Sequence, residues 1–268
     1  MKLELHGHAA YAYTGGLPFD PALPCVVLIH GAINDHSVWA LQSRYLAHHG
    51  RAVLALDLPG HGRSLGPALG SVEALAAWVV DFLDAAGVES AALAGHSMGS
   101  LIALEAAARL GERARKLVMV GTAWPMKVSP ALLDTALQAP EQAMRQVTAF
   151  SHSTLAPKPS APGPGAWLHG GSLALMRRLQ SLHAEREGGN LFHNDFGVCD
   201  RYAGAEAAAA ALRCPAELIL GERDVMTPPR AAQQLAGALK APVRLLPAGH
   251  DLMGEAPDVL LDALRAAL

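Results

Sequence analysis

Six short runs of aliphatic and β-branched residues punctuate the chain: CVVLIHG (25–31), AVLALDLPG (52–60), SAALAGHS (90–97), KLVMVGTA (116–123), AELILGERD (216–224) and VRLLPAGH (243–250). Continuous apolar runs of this length predict strands buried on both faces. Helical patterns fill the intervals. In SVEALAAWVVDFLDAAG, residues Val72, Leu75, Ala76, Val79, Phe82 and Leu83 fall on one helical face, and Gly87 suits a left-handed C-terminal cap. MGSLIALEAAARLG ends likewise at Gly111, TPPRAAQQLAGAL opens on prolines, and APDVLLDALRAAL reads as a final helix. Buried strands alternating with helices predict an α/β fold: a mostly parallel central sheet with helices on both faces.

Ligands of such sheets collect at the carboxyl ends of the strands. The polar clusters of the chain sit at such ends: His30-Gly31, Asp57, His96-Ser97, Asp224 and His250. One interval breaks the alternation. From residue 125 to 213 the pattern is helical and irregular around a proline- and glycine-rich loop, APKPSAPGPGAW, with no strand signal of its own. It reads as a helical lid inserted into a core formed by 1–124 and 214–268.

Composition narrows the function classes. With 51% hydrophobic and 17% charged residues the chain is globular, and a net charge of -3 with scattered Lys and Arg gives no footprint for nucleic acid or an anionic membrane. The N-terminal MKLELHGHAAYAYTGG has neither signal-peptide nor anchor character, and no window approaches a membrane span, so a cytoplasmic protein is expected. Cys25, Cys199 and Cys214 lack a C-x-x-C pair and read as reduced core thiols. Among thirteen histidines, the pairs His6/His8 and His48/His49 have no acidic or cysteine partners at ligand spacing. No metal and no cofactor is expected, and the pattern specifies no oligomeric state.

The stretch LAGHSMGSL raises the chemical question, because Ser97 stands between Gly95 and Gly99 where a strand pattern gives way to a helix pattern. A serine on so tight a turn is strained, and side chains two positions either side would collide as the chain reverses. A serine hydroxyl needs an imidazole to take its proton, and the imidazole needs a carboxylate to fix its tautomer. Asp224 in GERDVMTP and His250 in PAGHDLM follow later strands in the order serine, acid, histidine. Glu222 and Asp251 are the neighbouring alternatives; no carboxylate follows KLVMVG. An oxyanion needs two donors. The amide of Met98 at the helix start is one, and Ala32 after VVLIHG the other, with Ile33 as second choice. His96 and Asp57 read as structural. Trp39, Trp124, Met126, Phe150, Trp167, Phe192 and Phe196 are candidates for an apolar pocket, with lid core as their alternative role.

LIHGAINDHSVW, LALDLPGHGRS, LAGHSMGSLIA, LILGERDVMTP and LPAGHDLM, in this order, resemble the successive motifs of the α/β-hydrolase superfamily. The segment NDFGVCDRYAG near 194–204 is similar to the lid of small bacterial members. The resemblance implies Ser97 as nucleophile, Asp224 as acid, His250 as base, and Ala32 with Met98 as oxyanion donors. Serine at the elbow argues against the haloalkane dehalogenase and epoxide hydrolase chemistries, which use a carboxylate there. Ser100 replaces a glycine common in the family, so helix packing there is expected to differ. The expected activity is hydrolysis of an ester or similar acyl bond of a small apolar substrate. C-C bond, lactone or thioester hydrolysis with the same triad, or a low-turnover binding protein on the same fold, are the alternatives. Arg177 and Arg178 would matter if the substrate carried a carboxylate.

Overall fold

The computed structural model describes residues 1–153, 160 and 163–268. A hairpin of β1 (Lys2–Leu5) and β2 (His8–Tyr13) opens the chain. The six apolar runs follow as β3 (Cys25–Ile29), β4 (Ala52–Asp57), β5 (Ala91–His96), β6 (Ala114–Val120), β7 (Ala216–Gly221) and β8 (Val243–Leu246). All eight strands form one sheet in the order β1-β2-β4-β3-β5-β6-β7-β8. Pairing is parallel from β4 to β8 and antiparallel only where β2 meets β1 and β4. Every residue of β3, β4, β5 and β7 is buried, as their composition requires. VRLL departs from that expectation: β8 closes the sheet as an edge, and Val243, Arg244 and Leu245 are exposed.

Burial on both faces follows from helices packed on each side. Val27, Ile29, Leu54, Leu93 and Leu218 point to one cluster, while Val26, Leu28, Val53, Ala94 and Ile219 point to the other. Each such Val, Leu or Ile side chain stabilises by about 1.5–3 kcal/mol relative to exposure, so a polar residue in its place would forfeit that gain. Against the second face lie α1 (Ala40–His48), through Leu46, and later helices described below. Against the first lie α2 (Val72–Ala85), capped by the Ser71 side chain and closed by Gly87 at φ 70°, and α3 (Met98–Leu110).

Between β6 and β7 the chain inserts α4 (Pro130–Gln138), α5 (Pro140–Ser151), α6 (Leu168–Arg186), α7 (Leu191–Arg201) and α8 (Ala205–Ala211). Most of APKPSAPGPGAW before Gly163 lies outside the described residues. Ser129 and Asn190 cap α4 and α7, accepting from Leu132 N at 3.2 Å and His193 N at 2.9 Å. The insert has its own apolar cluster, in which Ala136, Met144, Met176, Leu179 and Phe192 surround Ile33. Helix α8 instead packs on α3 and on α9 (Gln233–Leu239), with Ala205 and Ala208 in the sheet's first cluster. The short α10 (Leu252–Glu255) and α11 (Pro257–Ala267) complete the second face through Leu252, Leu260 and Leu264.

The registers align the strand ends. Ile29 pairs with Gly95, His96 with Val120, Val120 with Ile219, and Gly221 with Leu246. Residues that follow β3, β5, β6, β7 and β8 therefore meet along one edge of the sheet.

Candidate active site

Ser97 is the single residue between β5 and α3, with φ 53° and ψ −121°. Such a conformation is rare for any residue with a side chain and places Ser97 at the apex of the turn. The flanking glycines are required by contact. A Cβ at Gly95 would come under 3.0 Å from Gly99 O, and one at Gly99 would lie 2.5 Å from Ile29 O. Ser97 N donates to Val120 O at 2.9 Å, which anchors the turn to β6. Ser100, fully buried, donates from Oγ to Ser97 O at 2.5 Å and lies 2.7 Å from the Thr122 hydroxyl. The serine in place of a glycine is thus accommodated by a polar pair beneath the elbow.

After β7 and β8 the chain brings Asp224 and His250 together, His250 Nδ1 donating to Asp224 Oδ2 at 2.8 Å. Asp224 Oδ1 accepts from Met226 N and Thr227 N, each at 2.8 Å, and the Thr227 hydroxyl lies 2.6 Å from Oδ2 and 3.0 Å from His250 Nδ1. Burial alone would raise the Asp224 pKa. The His250 imidazole, with the hydrogen bonds from it and from Thr227, outweighs burial and holds the carboxyl far below the usual carboxylate range. With Nδ1 committed, Nε2 is the ring nitrogen left for chemistry, and His250 lies on the wall of the same pocket as Ser97. Glu222 is exposed, and Asp251 accepts from Gly254 N at 3.1 Å as the cap of α10, so neither is His250's partner. His96 donates from Nε2 to His250 O at 2.9 Å; burial and the nearby His250 lower its pKa to about 4, so it is neutral. Asp57 accepts from His36 N and Arg63 N, both at 2.8 Å, organising its turn.

The loop after β3 crosses over the elbow. A Cβ at Gly31 would sit 3.2 Å from Ser97 Cβ, so glycine permits the close approach. Of the two expected donors on this loop, Ile33 N is engaged, donating to Asp195 Oδ2 at 2.7 Å. Met98 N heads α3, where the first amides of a helix have no partner within it.

Ser97, His250, Thr227 and the Gly31–Ala32–Ile33 turn open onto a cavity of about 420 Å³, within the range of small-molecule sites. Its walls are mainly apolar, with Val128, Val147, Leu175, Met176, Phe196 and Met226 prominent. Of the aromatic candidates, Trp167 and Phe196 line it, whereas Trp39 and Phe192 are fully buried in the packing clusters and Phe150 is exposed away from it. Arg177 donates to Glu141 Oε2 at 2.8 Å and Arg178 pairs with Asp35, so both guanidiniums already have carboxylates. Cys199 reaches the cavity, but burial pushes its thiol pKa far up, and Cys25 is pushed up to about 12, so both remain protonated. Among the described residues, Asp35, His36 and Asp57 could converge on a metal ion, but Asp35 is already bonded to Ser37 and Arg178, and Asp57 to His36 and Arg63. No helix among the described residues is long and apolar enough to cross a membrane.

The sequence profile of the alpha/beta hydrolase fold family matches residues 24–257. The chain belongs to that family. A pimeloyl-acyl-carrier-protein methyl ester esterase of Chromobacterium violaceum is 32% identical over 230 residues, covering 81% of this chain and 82% of its own. An esterase from Exiguobacterium antarcticum superposes with a TM-score of 0.81 at 17% identity, covering 99% of this chain and 97% of that one. An enol-lactonase from Burkholderia xenovorans gives 0.79 at 20% identity, with 99% and 98% covered. At such identities these two structures speak for the α/β-hydrolase fold.

Three polar residues of this α/β-hydrolase were not singled out from sequence. Thr227 was visible only as part of a proline turn. Asp195 and His61 are buried partners at 2.8 Å that stand 134 positions apart, and no local pattern connects them.

Proposed function

We propose that the protein is a serine hydrolase that cleaves an ester or similar acyl bond of a small apolar substrate, with residues 125–213 acting as the lid. The observation that carries this reading is that His250, hydrogen-bonded to Asp224, lines the same apolar cavity as Ser97 on its strained turn. His250 Nε2 takes the Ser97 proton as Oγ attacks the carbonyl carbon, and Asp224 stabilises the resulting imidazolium and its orientation. The oxyanion is received by the amides of Met98 and Ala32. The imidazolium then returns its proton to the departing alkoxide, leaving an acyl-serine. Water enters, His250 removes its proton, and the second tetrahedral intermediate releases the acid.

The apolar wall and the occupied Arg177 and Arg178 favour an uncharged acyl group. A series of p-nitrophenyl esters from acetate to decanoate tests this. Each added methylene that finds a place in the cavity is worth at most about 0.8 kcal/mol, so kcat/KM should rise about fourfold per carbon and then fall once the chain meets the wall. A flat series, or faster turnover of acyl groups ending in a carboxylate, would contradict the assignment.

A further inference from the structure

Ile33 is a β-branched residue at φ 50°, where such residues are outliers. Strain of this kind persists only when the surroundings over-determine the backbone. Here the surroundings belong to the insert. The Ile33 side chain, 1% exposed, packs among Met176, Leu179 and Phe192, and its amide donates to Asp195 on α7 at 2.7 Å. Asp35, two residues on, pairs with Arg178 of α6. A loop that starts in the sheet and crosses Ser97 is therefore gripped from the opposite side.

Asp195 is itself specified with care. It is 1% exposed, and the Oδ2 that holds Ile33 N also accepts from His61 Nε2 at 2.8 Å. His61 Nδ1 faces Pro59 O at 3.0 Å, so both ring nitrogens face acceptors, an arrangement that favours the ring carrying both protons. Burial lowers the His61 pKa, but Asp195 outweighs it and the net direction is upward. A buried ion pair is weak evidence for stability, because desolvation offsets its attraction. Its geometric consequence is specific: it fixes a full negative charge under one amide of a strained loop.

We propose that Asp195, paired with His61, is a positioning residue for the acyl-transfer reaction. By holding the Ile33 amide it maintains the turn that leaves the adjacent Ala32 amide free for the oxyanion on Ser97. Since Asp195 lies in the insert and Ala32 in the core, the second oxyanion donor depends on the insert being docked. This rests on the acyl-enzyme reading above.

The test uses Asp195→Ala, which removes the acceptor, and Asp195→Asn, which keeps an acceptor oxygen for Ile33 but not the charge. Concentrations of active enzyme are set by fluorophosphonate titration of Ser97, so partial unfolding does not enter. For a p-nitrophenyl ester, kcat per titrated site should fall about 10²–10³-fold in Asp195→Ala, the scale for losing one oxyanion donor. KM should change little, and Asp195→Asn should fall between Asp195→Ala and wild type. An alkyl trifluoromethyl ketone adds Ser97 Oγ to its carbonyl carbon, passes the serine proton to His250 and places an alkoxide in the oxyanion site. Its affinity should drop in step with kcat/KM, while that of the corresponding secondary alcohol should not. Wild-type kcat per site, or equal losses for ketone and alcohol, in both variants would overturn the proposal. Activity that survives Ser97→Ala would be a different failure, removing the acyl-enzyme reading itself.

Discussion

The strain at the elbow makes a prediction that separates backbone from chemistry. Ser97 at φ 53° and ψ −121° occupies a region expected to cost about 1–3 kcal/mol for a residue with a Cβ. Ser97→Ala deletes the hydroxyl but retains that cost. Ser97→Gly deletes both, while adding freedom to the unfolded chain worth about 0.4–1 kcal/mol against it. The balance leaves the glycine variant more stable than the alanine variant by about 1 kcal/mol, or about 2–4 °C in Tm for a chain of this size. Paired urea and thermal unfolding of the two purified variants measures the difference directly. Both should lack esterase activity. If glycine is no more stable than alanine, the turn is not strained, and the steric account of why Gly95 and Gly99 flank the serine loses its physical basis.

Two further outcomes follow from the site's electrostatics. Asp224→Asn should lower kcat on the scale of ~10⁴, since the amide favours the wrong imidazole tautomer, while exposed Glu222→Gln should leave steady-state kinetics nearly unchanged. The reverse ranking would move the acid to Glu222. His30 and His96 are buried neutral, each lowered to about 4, first by burial and then by a neighbouring imidazole, His61 for His30 and His250 for His96. Unfolded histidines titrate near ~6.5. As pH falls below that value the unfolded chain takes up protons that the folded chain refuses, so stability is lost at on the order of 1 kcal/mol per pH unit for each histidine. His61 and His152 are raised instead, and their contributions are fully present below ~6.5 and are lost only as pH rises through the folded values, so they add no slope in this window. Chemical denaturation at about pH 6 and about pH 5 should differ accordingly; equal stabilities would mean that these rings are protonated in the fold.

The local features of this fold were legible because they are written in contiguous residues. Continuous apolar runs marked β3 to β7, and glycine spacing with a change of period marked the elbow at Ser97. The hairpin β1–β2 was less visible because its strands are half-exposed and carry Lys2, Glu4 and His8. β8 looked like an interior strand, yet sheet order makes it an edge, and order is a property of the whole chain. The aromatic residues of the insert show the same limit. Phe150, Phe192 and Phe196 look equivalent in sequence, but helix orientation leaves one exposed, one buried and one on the cavity wall. Asp195 lies in the NDFGVCDRYAG segment, but nothing there pointed to its role, since that role comes from Ile33 and His61, both far away along the chain.

The central claim is that Ser97 is the nucleophile served by His250 and Asp224. Stoichiometric labelling with a fluorophosphonate, followed by intact-mass and peptide mapping, tests it most directly. The account predicts one adduct per chain, on Ser97, with loss of esterase activity in proportion to labelling and no adduct on Ser97→Ala. An adduct on any other residue, or a Ser97→Ala enzyme that turns over esters at the wild-type rate, would contradict it.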